Sequence, residues 1–262
     1  MLFAHRYEDP ADREIVAFLA AALAFGRVAS ILASIEDLLA RLGPSPRAAV
    51  ESFRSNGRIA RALDGFVHRW VSADDLRPAL GAIGRLVRRH GSLEGAFPER
   101  GTPRKRIEGF AARARAAVRG PLRRGTAHLF ASPAGGSACK RLCLFLRWVV
   151  RPADGVDLGL WTCVAPRDLI VPLDTHVVRI ARRVGLTHRR TPGWAMAEEI
   201  TAALATIDPE DPVRFDFALA HLGIAGGCPD HLKASDCRPC VLQPGCRTGG
   251  PARGTSGERA QG

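Results

Sequence analysis

Between Val28 and Leu42 the apolar residues fall at Val28, Ile31, Leu32, Ile35, Leu38 and Leu39, a three-and-four spacing that only an α-helix gathers onto one face. Gly43-Pro44 stops the pattern, as a helix end should. The same grammar runs through the chain. Asp12-Arg13-Glu14 opens an apolar run from Ile15 to Phe25 that Gly26 interrupts. Further helices are predicted near 46–54, 58–70, 76–90 and 104–118, separated by Gly, Pro or Ser-Asn-Gly punctuation. Residues 119–137 read as a basic, Gly-containing loop region, and a helix follows from about Cys139 to Val150. Pro152 to Pro172 lacks periodicity and reads as a connection, expected to help shape a pocket. Helices are then expected from Thr175 to about Gly185, at 193–206 and at 211–223. No alternating run argues for a sheet, so the expected fold class is all-α, with a disordered tail over 248–262.

One residue stands out by its rarity. The chain carries three lysines, Lys105, Lys140 and Lys233, against 35 arginines. Where only positive charge is needed, such a chain uses Arg; Lys alone can lose its proton and attack a carbon as a free amine. The plainer role for Lys140 is a solvated charge at a helix start. At 100° per residue Lys140, Leu144, Arg147 and Arg151 share a stripe, with Leu142, Phe145, Leu146 and Val149 on the opposite side, so the charged stripe is expected to border a cleft. Asp174 sits where the next helix begins, a position that on its own favours an N-cap over a catalytic carboxylate, although the two roles are compatible.

Charge points to a partner class. The formal net charge is +12, almost all of it guanidinium, which suits bidentate contact with phosphate. No stretch approaches the roughly 20 apolar residues of a membrane span, and the first residues lack a signal-peptide core. The expected location is cytoplasmic, associated with the nucleoid, where thiols stay reduced. Cys228, Cys237, Cys240 and Cys246 form C-x8-C-x2-C-x5-C, a spacing that lets four thiolates meet at one metal centre, either zinc or a 4Fe–4S cluster. Cys139, Cys143 and Cys163 lack such spacing and read as small apolar fillers.

Taken in order, the Lys140 helix, the Leu173-Asp174-Thr175-His176 turn, the block Asp211-Pro212-Val213-Arg214-Phe215-Asp216-Phe217 and the four cysteines resemble the endonuclease III-like superfamily. These are DNA glycosylases with a helix-hairpin-helix and a Gly-Pro-Asp-type loop; the match is to a bacterial branch, with some similarity to archaeal 8-oxoguanine DNA glycosylases. The resemblance implies two helical subdomains flanking a DNA cleft, here 28–154 in the middle and 1–27 with 155–247 from the two ends. It implies a damaged base flipped into the cleft, Lys140 as the nucleophile at C1′ of the sugar, and Asp174 as its assisting carboxylate. It implies a 4Fe–4S cluster on Cys228, Cys237, Cys240 and Cys246, with zinc the lesser alternative. Arg141, Arg147, Arg151 and His176 are then the expected DNA-binding residues, although Arg147 and Arg151 have Asp154 and Asp157 within reach as acid partners. His176 can shuttle a proton or simply bond its helical neighbour.

The chain departs from that pattern in three places. The turn before the lysine is Gly135-Gly136-Ser137-Ala138-Cys139, the gap from Lys140 to Asp174 is longer than in endonuclease III, and so is the first cysteine spacing. The chain also begins inside the family's first helices, which makes Met1 an expected late start. The expectation is a monomeric base-excision-repair enzyme on double-stranded DNA, a glycosylase with AP lyase activity acting on a damaged base such as an oxidised purine. A monofunctional glycosylase using water activated by Asp174, and a non-catalytic iron–sulfur DNA-binding or redox-sensing protein, are the alternatives.

Overall fold

In the computed structural model, which describes residues 2–231 and 233–249, the chain is all-α, 58% helix and 2% strand. The tail expected over 248–262 lies outside the described residues from Gly250 onward. In chain order the helices are α1 (Pro10–Ala22), α2 (Val28–Leu42), α3 (Pro46–Glu51), α4 (Arg58–Ala62), α5 (Ala73–His90), α6 (Leu93–Ala96) and α7 (Pro103–Ala116). They continue with α8 (Arg124–Leu129), α9 (Lys140–Val150), α10 (Thr175–Val184), α11 (Trp194–Ala205), α12 (Asp216–Ile224) and α13 (Ala234–Cys237). No helix among the described residues is long and apolar enough to cross a membrane.

Two local readings change. The helix expected over 58–70 stops at Ala62, and the chain turns back as a two-stranded antiparallel ribbon, β1 (Val67–His68) and β2 (Val71–Ser72). Its turn is Arg69-Trp70, with Arg69 at φ +56°, a left-handed conformation no glycine announces in the sequence. The segment read as a loop over 119–137 contains α8, whose Gly125 lies so close to Asp75 of α5 that a side chain there would collide with it.

The core is one continuous cluster with α1 at its centre. From Ile15 to Leu23 every residue of α1 and its C-cap is buried, because the helix is covered on all sides. Phe18 packs edge-on to Phe145 of α9 at 5.3 Å and lies over Phe130 at 6.0 Å. Trp161 adds a further edge contact to Phe145, and its indole N–H donates to buried Glu14 at 2.8 Å. Glu14 also accepts the backbone N–H groups of Leu93 and Glu94, so its carboxyl oxygens are partnered inside the core. The Pro152–Pro172 connection is therefore anchored in the core and does not line the cavities at Lys140.

The same packing answers what the α9 stripe does. Leu142, Phe145, Leu146 and Val149 are buried as expected, yet Arg147 is buried too, at 4% exposure. Its Nη1 meets Asp157 at 2.6 Å and its Nε meets Asp216 of α12 at 2.8 Å. Arg151 pairs with Asp157, and with Asp211 at 2.9 Å. A helical wheel gives an angle, and here another layer of the protein covers that angle. Of the stripe, Lys140 is the residue that lines the two cavities described below.

Candidate functional site

Lys140 is the first residue of α9, and the turn that delivers it is unusual. Cys139, the residue before it, holds φ +48° although it is not glycine, and Gly136 is left-handed at φ +77°. For a residue with a Cβ this backbone costs roughly 1–2 kcal/mol. Burial of the Cys139 side chain and the bond from its N–H to Ser137 Oγ at 3.1 Å hold it there. The lysine side chain then runs half-buried toward the end of α1, where Nζ donates to the Ala24 carbonyl at 3.4 Å.

Two cavities meet at Lys140. The larger, about 1270 Å³, has Ala24 to Val28 on one side and Leu173, Asp174 and His176 on the other. The smaller, about 410 Å³, is walled by Phe25, Trp70 and His128 and by the Arg69 and Arg141 side chains. Lys140, Ala24, Phe25 and Gly26 line both. Val28 and Ile31, apolar at the start of α2, thus serve the cleft, while Ile35, Leu38 and Leu39 serve the core.

Burial pulls the Lys140 ammonium below its ordinary pKa; the Asp174 carboxylate pushes back up, and Arg141 adds a smaller push down. Arg147 and Arg151 take no part. Asp174 is the N-cap of α10, its Oδ1 accepting the Val177 N–H at 2.7 Å. Oδ2 has no hydrogen-bond partner among the described residues, so the helix cap leaves one carboxylate oxygen for the cleft. His176 bonds Arg179 through Nδ1 at 3.0 Å and lies against Gly223 of α12, where no larger residue would fit.

The smaller cavity brings together residues that the sequence did not flag. Phe25, Trp70 and His128 come from three distant segments, with Trp70 and His128 rings 4.3 Å apart and Phe25 edge-on to His128 at 5.1 Å. Burial, reinforced by Arg141 and Arg124, lowers the His128 pKa to about 4, so the ring is neutral at physiological pH. Arg141 stands 5.5 Å over the Phe25 ring and donates to the Ala22 and His128 carbonyls. Trp70 is 44% exposed, and nothing in the sequence marks that exposure.

The four cysteines fold back onto the C-terminal end of α10. Arg183 Nη1 donates to Cys228 Sγ at 2.9 Å, and Cys246 Sγ lies 3.5 Å from the Arg183 carbonyl. Cys246 Sγ also accepts the Gly249 N–H at 3.4 Å. All four thiols are half-buried, and after burial, Cys246, Cys240 and Cys228 contribute to raising the Cys237 pKa, which puts them in one neighbourhood. Among the described residues no three His, Cys, Asp or Glu side chains converge closely enough to hold a metal ion. What fits is the donor chemistry: four thiols from one loop, two of them already receiving N–H donors. Cys139 and Cys143 are buried in the core, and Cys163 is half-buried.

A family model described as a protein of unknown function, DUF2400, matches residues 1–225. The chain is a member of the DUF2400 family. No curated protein and no solved structure matches it. The DUF2400 match takes in Lys140, Asp174, His176 and the aromatic cavity, and ends just before the four cysteines.

Proposed function

We propose that this DUF2400 protein is a DNA glycosylase with AP lyase activity, using Lys140 as nucleophile and Asp174 as its carboxylate. The observation that carries the reading is the half-buried Lys140 amine, held below its ordinary pKa at the junction of two cavities with Asp174 facing it. A lysine in that state sheds its proton more readily than a solvated one and is the better nucleophile at a given pH. The turn before it lines a third groove of about 430 Å³ with Arg104, Arg189 and Arg190; Arg104 and Arg189 pair with Glu108 and Glu199, which leaves Arg190 for a backbone phosphate. The net charge of +12 supports the same partner.

In this reading the two helical subdomains flank DNA, and a nucleotide flipped from the stack brings C1′ to Lys140, at a cost of a few kcal/mol that is least for a damaged base. The aromatic cavity of about 410 Å³ lies in the size range of small-molecule pockets and offers Phe25, Trp70 and neutral His128 to a planar heterocycle. As the C1′–N bond stretches, ionised Asp174 stabilises the positive sugar and takes up the proton that Lys140 must shed. Nζ bonds to C1′, and the base leaves with the bonding pair and a proton. Loss of the second amine proton and opening of the sugar ring give an imine. Removal of a proton from C2′ then expels the 3′ phosphate, and water hydrolyses the imine to return Lys140.

Cys228, Cys237, Cys240 and Cys246 would hold a 4Fe–4S cluster, which would supply a structural cross-link within the 228–246 segment. Arg147 and Arg151 are occupied by buried acids and drop out as phosphate contacts, which leaves Arg141 and His176 from the expected DNA-binding set.

The deciding experiment is borohydride trapping on duplex DNA carrying an abasic site or 8-oxoguanine. A covalent adduct with the wild type and none with Lys140→Ala is the expected result. Base release without adduct or strand nicking would favour the hydrolytic reading, in which the free Asp174 oxygen activates water. No release and no adduct across a panel of lesions would remove the enzymatic reading.

A further inference from the structure

A further cavity, of about 720 Å³, lies between the segment after α3, the outer face of α5 and the segment after α7. Six arginines line it. Arg77 and Arg123 are neutralised by Asp64, Asp74 and Asp75. Arg54, Arg85, Arg88 and Arg119 have no carboxylate within salt-bridge distance among the described residues. Many of the described arginines lack an acid partner, but four of them gathered at one concavity need an explanation. Like charges crowded at a low-dielectric surface repel, and the repulsion is relieved when an anion sits among them. Arg85 records that repulsion: burial first, then Arg119 and Arg88, hold its pKa below the ordinary arginine value.

The cavity is connected to the Lys140 site. Its wall residue Arg123 also lines a groove of about 700 Å³ with Arg124 and Trp70, and Trp70 in turn walls the aromatic cavity beside Lys140. Along this path Trp70 is 44% exposed with the Arg124 guanidinium 5.6 Å over its ring. An exposed aromatic flanked by arginines is what a nucleic-acid strand uses as a stacking platform between phosphate contacts.

We infer that the Arg54–Arg85–Arg88–Arg119 cavity is a second phosphate site, which takes the sugar–phosphate backbone of the same nucleic acid as it leaves the Lys140 cleft past Trp70. The inference rests on the nucleic-acid reading of that cleft. It makes the footprint longer than the catalytic site alone. Phosphodiester and free polyphosphate share the chemistry these guanidiniums recognise, and the path through Trp70 favours the strand.

The test uses Arg88→Glu/Arg119→Glu, two exposed positions outside the cleft, with Arg88→Gln/Arg119→Gln as a milder pair should the charge reversal impair folding. Affinity is measured for abasic duplexes of about 10 and about 30 base pairs, roughly 34 and 100 Å at 3.4 Å per step, against a folded chain on the order of 50 Å across. The expected result is that the variant binds the longer duplex on the order of tenfold more weakly. Its log affinity versus log salt slope should also be shallower by about 2, one phosphate per arginine. The short duplex and its borohydride adduct should be unchanged. Equal long-duplex binding by variant and wild type would overturn the inference while leaving the adduct, and with it the catalytic proposal, standing. If inorganic tripolyphosphate raises the melting temperature of the wild type alone while DNA affinity is equal, the cavity takes a free polyphosphate and the strand is excluded. A wild type showing neither length dependence nor adduct would sink both readings together.

Discussion

Lys140 Nζ lies 3.4 Å from the carbonyl oxygen of Ala24, just beyond the end of the most deeply buried helix of the protein. That contact parks the amine at the mouth of both cavities and gives its ammonium form one neutral acceptor and one carboxylate, Asp174, against the cost of burial. Burial wins, and the pKa falls.

The first prediction is therefore a pH profile. The neutral amine becomes more abundant as pH rises, so the rate of adduct formation should climb and level off below the ordinary lysine value of 10.5. The stability sign follows from linkage. Between the lowered folded pKa and the unfolded value the unfolded chain binds more protons, so stability contributed at this site rises with pH across that window. Lys140→Met removes the protonation penalty and should be at least as stable as wild type at pH 7, with the difference shrinking toward pH 10.5. Thermal melts at several pH values check this; a large loss of stability in Lys140→Met would mean the ammonium is needed by the fold.

Asp174 carries two roles that substitutions can separate. Asn caps a helix about as well as Asp, so Asp174→Asn should keep the Val177 bond and the melting temperature while slowing base release and adduct formation at least tenfold. Asp174→Ala should lose both, with about 0.5–2 kcal/mol of stability from the missing cap. Urea melts alongside single-turnover kinetics distinguish them. Parallel losses of stability and rate in Asp174→Asn would assign the residue to the cap alone.

Arg147 should behave as part of the fold. Asp216→Ala removes one of its two carboxylates inside the protein, and breaking a buried pair costs about 3–5 kcal/mol. Arg147→Ala should cost a similar amount with DNA affinity unchanged under conditions where the variant is folded. The opposite pattern, under 1 kcal/mol of stability lost and weaker DNA binding, would restore Arg147 to the phosphate contacts.

These cases show what was legible beforehand. The long helices were, because 3.6-residue periodicity in α2, α5 and α10 needs no partner to be seen. The β1–β2 ribbon was not: its strands have two residues each and its turn places Arg69 in a conformation usually marked by glycine or asparagine. Lys140 could be found because lysine is rare here, and Asp174 because N-caps have a sequence position. Phe25, Trp70 and His128 meet only in three dimensions, and nothing in their local sequence spacing brings them together. Arg147 fails for the complementary reason. Its angle on α9 was readable, but the Asp157 and Asp216 layer that covers that angle comes from elsewhere in the chain.

The last prediction concerns the cysteine loop. Arg183 donates to Cys228 Sγ at 2.9 Å and to the Pro229 and Asp230 carbonyls at 2.6 and 2.9 Å, while its own carbonyl accepts the Arg247 N–H at 2.8 Å. One residue at the end of α10 thus binds both ends of the loop. If the four thiols hold a 4Fe–4S cluster, the purified protein should be brown and contain about four irons, and replacing any one of the four cysteines by serine should bleach it. Arg183→Ala keeps all four ligands and removes their outer support, so it should bind iron but release it to a chelator about 10–100-fold more readily. A colourless protein with one equivalent of zinc would make the same loop a four-thiolate zinc site, with the Arg183 prediction transferring to zinc release. A colourless, metal-free protein whose serine variants melt like wild type would leave the loop held by Arg183 alone.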